Sequence, residues 1–290
     1  MAADGRQRAA PVRALPRLDL LRELSDQSVL DVVFAEQAVT RAEIARRTGI
    51  SKPTVNEAVR RLERVGLLRA AGSQTGRPGR VATFYEVAAD VGFVLAVDLG
   101  PSAIRVTVGD LLGNALVDSS YPPPREPSGV ADQLRRAVDT AVEAGRAGHG
   151  PLRAVAVSVA NPVDPATGTV VALPDTPYPE GLIQPAEALA DSLANPADVP
   201  LLVENDVNLA ALAEGAHGAG RDVDSFAYLY VGAGLGMGLV LGGSLVRGSR
   251  GLAGEIGYLS LGFAGPEKQR RHGLARAVAA HGFGPRRDGG

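Results

Sequence analysis

Residues 201–215 read LLVENDVNLAALAEG. Leu201, Leu202 and Val203 have the profile of the end of a buried strand, and Leu209, Ala210, Leu212 and Ala213 recur at helical spacing. The polar trio Glu204, Asn205 and Asp206 lies at the switch between the two patterns. A strand that passes directly into a helix is one step of an α/β domain. The first-turn N–H groups of that helix need an acceptor, so Asn205 or Asp206 caps it. A carboxylate at this joint is also placed to accept a hydrogen bond, or a proton, from a bound hydroxyl. Taken alone, the stretch leaves both roles for Asp206 open.

Working outward, the chain from Gly92 onward keeps the same character. GFVLAVDLG (92–100) reads as a strand ending in Asp98, with Gly100 and Pro101 forming a turn into a second strand, AIRVTVGD (103–110). FAYLYVGAGLGMGLVLGGSLVRG (226–248) repeats that plan of strand, glycine-rich turn, strand and turn. Between the two units the periodicity predicts a helix near 128–146, a strand LRAVAVSVA (152–160), a Pro-rich loop, a helix near 185–194 and the strand VPLLVEN. Two strand–turn–strand units separated by alternating helix and strand predict a two-lobed α/β domain. GAGLGMG (232–238) resembles a dinucleotide fingerprint, but that fingerprint needs a helix after the glycines. The segment that follows here is strand-like, which excludes the dinucleotide reading. Its glycines serve either backbone angles alone or a phosphate-facing loop.

Residues 1–16 read as a disordered tail. From Leu18 to Glu36 the apolar spacing predicts a helix with a break near Ser25–Gln27. Thr40 and Glu43 form a capping box that opens the short helix RAEIARRT. Gly49 and Ile50 make a turn, and Ser51 caps a third helix that tolerates Pro53 in its first turn. After Gly66 the period changes: LLRAA and VATFYEV are strand-like, joined by GSQTGRPGR (72–80). Helix, helix, turn, helix and hairpin make a winged helix-turn-helix over residues 17–88.

Charge supports that reading. Residues 1–90 hold 15 Arg/Lys against 11 Asp/Glu, whereas the rest of the chain is net acidic. A basic segment on an acidic body points to a partner that is an anion, here double-stranded DNA. Val55, Val59 and Leu62 form the buried face of the third helix. Its N-terminal cap Ser51 and the residues Lys52, Thr54, Asn56, Arg60 and Arg61 lie toward the major groove. Thr54 and Asn56 are placed to read base edges, and Arg60 and Arg61 to hold phosphate. In the wing, Arg77 and Arg80 flank a Pro-Gly step suited to a narrow minor groove.

The chain contains no cysteine. Disulfides, thiol catalysis and Cys-ligated zinc are therefore excluded. The first residues lack the apolar core of a signal peptide, and no stretch is apolar for the width of a bilayer. The expectation is a cytoplasmic protein with no membrane partner.

An N-terminal winged helix followed by VDLG, VENDVNLAALAEG, GAGLGMGLVLGG and GLAGEIGY resembles the ROK family of repressors and sugar kinases, over about residues 18–265. That resemblance implies an actin-like, hexokinase-like (ribonuclease H-like) two-lobed domain over 89–265, with a sugar cleft between the lobes. It implies that Asp206 occupies the position of the kinase base, with Asn205 beside it and Glu255 as a further sugar ligand. Asp175, in LPDTPYPEG, stands in for a sugar-binding Asn of the family. Tyr258 replaces the family's zinc-ligating His, so no metal is expected; its hydroxyl either meets the sugar or packs.

The family's kinases place Gly-Thr-Lys after the first DLG and Gly-Thr-Gly in the second phosphate loop. Here Asp98 and Gly100 are followed by Pro101, Ser102 and Ala103, and Gly232 and Gly234 flank Ala233. Phosphoryl transfer depends on positioned donors and charge, so these remnants predict no kinase activity, no catalytic residue and no cofactor. Residues 266–290 form a basic tail unlike the family's continuation, and the expectation is an incomplete effector domain. The resemblance implies a homo-oligomeric transcriptional regulator on a pseudo-palindromic operator, released by a sugar or sugar phosphate. A sugar kinase with an added DNA-binding domain, or a DNA-binding remnant without a sugar response, are the alternatives.

Overall fold

The computed structural model describes residues 18–75, 81–100, 102–124, 126–173, 183–193, 199–232 and 234–259, together with Leu274 and Val278. They fall into two compact units that meet in sequence at Val91 and Gly92.

In the first unit, α1 (Leu18–Glu36) leads through the two-residue β1 (Val39–Thr40) to α2 (Arg41–Thr48) and α3 (Lys52–Arg64). The hairpin β2 (Leu68–Thr75) and β3 (Val81–Val87) completes it, and β1 pairs with β3 to give a three-stranded sheet in the order β1-β3-β2. The winged helix-turn-helix is therefore present. Its core holds Val29, Val33, Ile44, Val55, Val59, Leu62 and Tyr85, which the helical and strand periods bring to one side of each element.

Three details differ from the sequence expectation. The helix α1 runs unbroken through Ser25–Gln27, because the Ser25 hydroxyl donates to the Arg22 carbonyl (2.8 Å) and the Ser28 hydroxyl to that of Leu24 (2.8 Å). These hydroxyls are satisfied by the helix they sit in, so they do not compete with it. Thr40 caps α2 as expected, accepting from the Glu43 N–H, but Glu43 does not reach back. Its carboxylate is taken by Arg46 and Arg47 one turn on, which hold it well below the usual carboxylate range, at about 2. The wing strand β2 also continues through Gly72 to Thr75, where the sequence read a loop.

The second unit is built on a five-stranded sheet. Its strands are β4 (Phe93–Leu99), β5 (Ile104–Gly109), β6 (Ala115–Tyr121), β7 (Leu152–Val159) and β8 (Leu201–Asn205). Their spatial order is β6-β5-β4-β7-β8, with β4–β5 and β5–β6 antiparallel and β4–β7 and β7–β8 parallel. Parallel neighbours need a crossover, and α4 (Val130–His149), preceded by a single 3-10 turn at Pro127–Gly129, supplies it between β6 and β7. The α4 face Leu134, Ala137, Val138 and Ala141 packs with Phe93, Leu95, Val97, Ile104 and Val106 in one continuous core. The helix expected near 185–194 is a single turn, α5 (Pro185–Ala188).

After β8, α6 (Asp206–His217) lies against a second sheet of three antiparallel strands. These are β9 (Phe226–Val231), β10 (Leu235–Leu241) and β11 (Ser244–Leu245), in the order β11-β10-β9. The mixed five-stranded sheet, its crossover helix and the following α6 with its hairpin constitute the expected α/β architecture.

Candidate functional site

The candidates for DNA contact begin at the turn between α2 and α3. Gly49 closes α2 in the left-handed region (φ +69°), and its N–H donates to the Ala45 carbonyl, which allows the tight turn into α3. Ser51 caps α3; its hydroxyl accepts from the Thr54 N–H and also bonds the Thr54 hydroxyl at 2.8 Å. Lys52, Thr54 and Arg60 are exposed and Asn56 is half-buried, whereas Val55, Val59 and Leu62 are buried. Among the described residues Lys52 and Arg60 enter no ion pair.

Arg61 differs. Its guanidinium binds Asp26 of α1 through two hydrogen bonds, of 2.7 and 3.0 Å, and is therefore occupied inside the unit. Arg41 is similarly committed, pairing with Glu63 and stacking over the Tyr85 ring at 4.7 Å. Arg77 and Arg80 lie outside the described residues.

In the second unit Asp98, Asn205 and Asp206 lie at the carboxyl ends of parallel strands, where α/β sheets place their ligand crevices. Asp98 in β4, Ser158 in β7 and Glu204 in β8 are register partners. Asn205 ends β8 and is the cap of α6: its Oδ1 accepts from the N–H groups of Val207 (3.0 Å) and Asn208 (3.1 Å). Its Nδ2 donates to the Asn161 carbonyl at 3.3 Å. Asn205 is buried, and its amide is largely spent on this framework.

Asp206, the first residue of α6, is only partly covered. Its Oδ1 accepts from the Val207 N–H at 2.8 Å. Burial raises its carboxyl above the usual range; the Val207 N–H works against that shift, and the negative charge of Asp98 works with it. Glu255, on the loop after β11, is pushed up to about 7, first by burial and then by the charge of Asp206. Asp98, Asp206 and Glu255 thus share one electrostatic neighbourhood, although Asp98 is itself held by Arg105 (3.1 Å). A carboxylate accepts hydrogen bonds and a protonated carboxyl also donates one, so Glu255, which titrates near neutrality, offers both roles to neutral hydroxyl groups beside Asp206.

The loop bearing Glu255 can lie here only because of its glycines. Gly254 has φ +90°, and a Cβ on it would collide with the Met237 carbonyl oxygen. The Gly254 carbonyl in turn accepts from the Met237 N–H at 3.0 Å, pinning the loop to β10. In β10, a Cβ on Gly238 would meet the Ala211 side chain at 2.5 Å, so this glycine lets the strand settle on α6. Gly238 therefore serves helix–sheet packing. Gly232 and Gly234 form the hairpin turn, with the Gly232 N–H donating to the Gly234 carbonyl. Tyr258 is half-buried in a one-turn 3-10 helix, Ile256–Tyr258. Asp175, Pro101 and Ala233 lie outside the described residues; Ser102 is exposed, and the Ala103 carbonyl accepts from the Gly100 N–H.

Sequence reasoning assigned no role to Glu204, Arg247, Asn161 or Asn208. Glu204 is buried, and its Oε1 accepts from the Asn205 N–H (2.9 Å) and the Asn208 Nδ2 (3.0 Å) while its Oε2 accepts from Arg247 Nε (2.5 Å). The available signal was a carboxylate at the end of an apolar strand, since such a group needs a partner when buried. Nothing in the sequence marks Arg247 as that partner.

Comparison with known proteins places these features. The model of the ROK family matches residues 94–269, and that of the MarR family matches residues 28–77. A putative xylose repressor from Caldicellulosiruptor sp. (strain Rt8B.4) is 24% identical over 246 residues, covering 84% of this chain and 60% of the repressor. A glucokinase from Streptomyces coelicolor is 32% identical over 171 residues, covering 59% of this chain and 50% of the glucokinase. The crystal structure of a ROK family transcriptional regulator, a homolog of the E. coli MLC protein, superposes with a TM-score of 0.71 at 20% identity. It covers 85% of this chain and 61% of that one, and shows the fold. The chain thus spans about 60% of the length of the repressor it matches.

Proposed function

We propose that this chain, which belongs to the ROK family, is a DNA-binding transcriptional repressor whose grip on an operator is relaxed by a small sugar. The observation that carries the reading is the coexistence of two differently built polar surfaces. One is the exposed Lys52, Thr54, Asn56 and Arg60 face of α3; the other is the carboxylate pair Asp206 and Glu255.

On DNA, α3 enters the major groove with Thr54 and Asn56 at base edges and Lys52 and Arg60 on phosphate, while Arg61 stiffens the unit through Asp26. A symmetric dimer presents two such helices to a pseudo-palindromic site. In the second unit, Asp206 accepts and Glu255 donates or accepts hydrogen bonds to sugar hydroxyls, with Asn205 holding the α6 terminus in place. Relatives named xylose repressors and glucokinases support a pentose or hexose as the effector. Release requires that the sugar bind the DNA-competent and DNA-incompetent arrangements unequally; a coupling of roughly 1–3 kcal/mol changes operator affinity about 5–150-fold.

Asp206 at the kinase-base position, together with the glucokinase likeness, favours one competing reading, a sugar kinase. The Pro101-Ser102-Ala103 sequence after Gly100 argues against it, because it supplies no cationic donor for a phosphate. Both readings meet the same experiment, melting of the full chain with and without D-xylose, D-glucose and their 6- or 5-phosphates, followed by ADP release with any sugar that shifts the transition. A specific upward shift is expected, because a ligand that binds only the native state stabilises it. No ADP is expected. ADP release that disappears in Asp206→Asn would replace the repressor reading with the kinase.

A further inference from the structure

Asn161, Glu204, Asn205 and Asn208 are the four buried polar side chains of the second unit among the described residues. They belong to one hydrogen-bonded network. Asn161 donates through Nδ2 to the Val171 carbonyl (3.2 Å), and its own carbonyl accepts from Asn205. Asn205 caps α6, and Glu204 accepts from both the Asn205 N–H and the Asn208 amide.

The network continues through Arg247, on the segment after β11. Its Nε donates to Glu204, and its backbone carbonyl accepts from the Ala253 N–H at 3.0 Å. Ala253 lies two residues before Glu255. Arg247 therefore connects with both halves of the proposed sugar site, with the α6 terminus by way of Glu204 and with the Glu255 loop through its own carbonyl.

Burying a carboxylate with one guanidinium is a poor route to stability, since desolvation offsets most of the attraction; its better-attested use is to specify one arrangement over others. Glu204 is nearly inaccessible, whereas a third of the Arg247 side chain is exposed. The carboxylate is thus the fixed end of the pair, and Arg247 the element brought to it. We propose that Glu204 and Arg247 are positioning residues that link the α6 terminus to the Gly251–Glu255 loop and so set the placement of Asp206 relative to Glu255. The link is a property of the free protein. Its consequence for sugar affinity rests on the sugar-site reading above.

The test uses the full chain in four forms: wild type, Arg247→Met, Arg247→Lys and the double variant Glu204→Gln/Arg247→Met. Hydrogen exchange reads the link without any ligand, and calorimetric titration with D-xylose and D-glucose reads the consequence. In Arg247→Met, exchange should quicken at residues 206–208 and at 253–257 together, and sugar affinity should fall at least roughly tenfold, the order of loss when a group that orients a ligand is removed. Arg247→Lys, which keeps a cation for Glu204, should recover most of both.

The double variant removes both charges, so its melting temperature should return toward that of wild type while its sugar affinity stays low. A double variant that binds sugar like wild type would overturn the proposal, leaving the pair with a role in stability alone. So would Arg247→Met exchange that quickens in only one of the two segments. If wild type binds neither sugar while Arg247→Met loosens both segments, the sugar reading falls and the link stands.

Discussion

The outer face of α3 and the β8–α6 joint are both polar, yet they are built in opposite ways. On α3, Lys52, Thr54 and Arg60 point outward, and neither cation is paired within the described chain. At the joint, Glu204, Asn205, Asn208 and Asn161 point inward, and each is hydrogen-bonded to the chain itself. A surface that reads a long anionic partner keeps its hydrogen-bonding capacity unspent until the partner arrives. On the reading proposed above, the joint serves a small neutral molecule and must first be held in shape, so most of its polar groups support the few that remain for the ligand. Substitutions on α3 should therefore be silent in stability and strong in binding, whereas those at the joint should register in both.

The largest effect tests the joint. Gly254→Ala brings a Cβ onto the Met237 carbonyl at a backbone angle that disfavours any side chain. Its cost should exceed about 3 kcal/mol, readable by urea denaturation, with loss of any sugar-induced shift. A neutral outcome would mean that the loop carrying Glu255 is free to move, and the contrast with α3 would collapse.

A second test concerns pH. An acid whose folded pKa is raised from 4.5 to about 7 binds more protons in the folded state between those values, so stability falls as pH rises through that window. Glu255→Gln removes that dependence. It should be more stable than wild type above about pH 8 by about 2 kcal/mol, less than the full linkage value because the group is partly accessible, and equal to it near pH 4. Parallel pH–stability curves would show that Glu255 is not buried beside Asp206.

Within the first unit, Arg61 and Arg60 sharpen the comparison between adjacent positions. Arg61→Ala loses the Asp26 pair and should cost about 1 kcal/mol in stability, as a partly exposed two-bond pair does. Arg60→Ala should change stability by less than about 0.5 kcal/mol and lower the salt dependence of DNA binding by about one phosphate contact. Equal melting temperatures with equal salt slopes would place both residues in the same class and contradict the assignment.

The winged helix and the strand-to-helix step at 201–215 were legible because each rests on short-range rules. Thr40 and Ser51 cap the helices that follow them, Gly49 takes the left-handed turn, and Asn205 caps α6. The strand β6 was not legible: ALVDSSY is exposed along most of its length, so no apolar alternation marks it. The unbroken α1 was missed because a serine that bonds its own helix looks, in sequence, like one that ends it.

The candidate site was only partly legible. Asp206 and Glu255 stood out through their motifs, but their proximity comes from a fold that brings residues 49 positions apart together. Glu204 was visible as a charge in an apolar strand, yet its partner lies 43 residues on, and no local pattern identifies it. The glycines of 232–238 looked like one feature. They separate into a hairpin turn at Gly232–Gly234 and a packing contact at Gly238.

The most direct test of the central claim is operator binding as a function of sugar, in wild type and in Asp206→Ala. An operator fragment recovered by binding-site selection would be titrated by fluorescence anisotropy with and without the sugar that raises the melting temperature. We expect the sugar to weaken wild-type binding about 5–150-fold. Asp206→Ala should bind the same fragment with unchanged affinity and show no response. A variant that still releases DNA as wild type does would contradict the assignment of Asp206 to the effector site, and a wild-type affinity indifferent to every sugar tested would contradict the repressor mechanism itself.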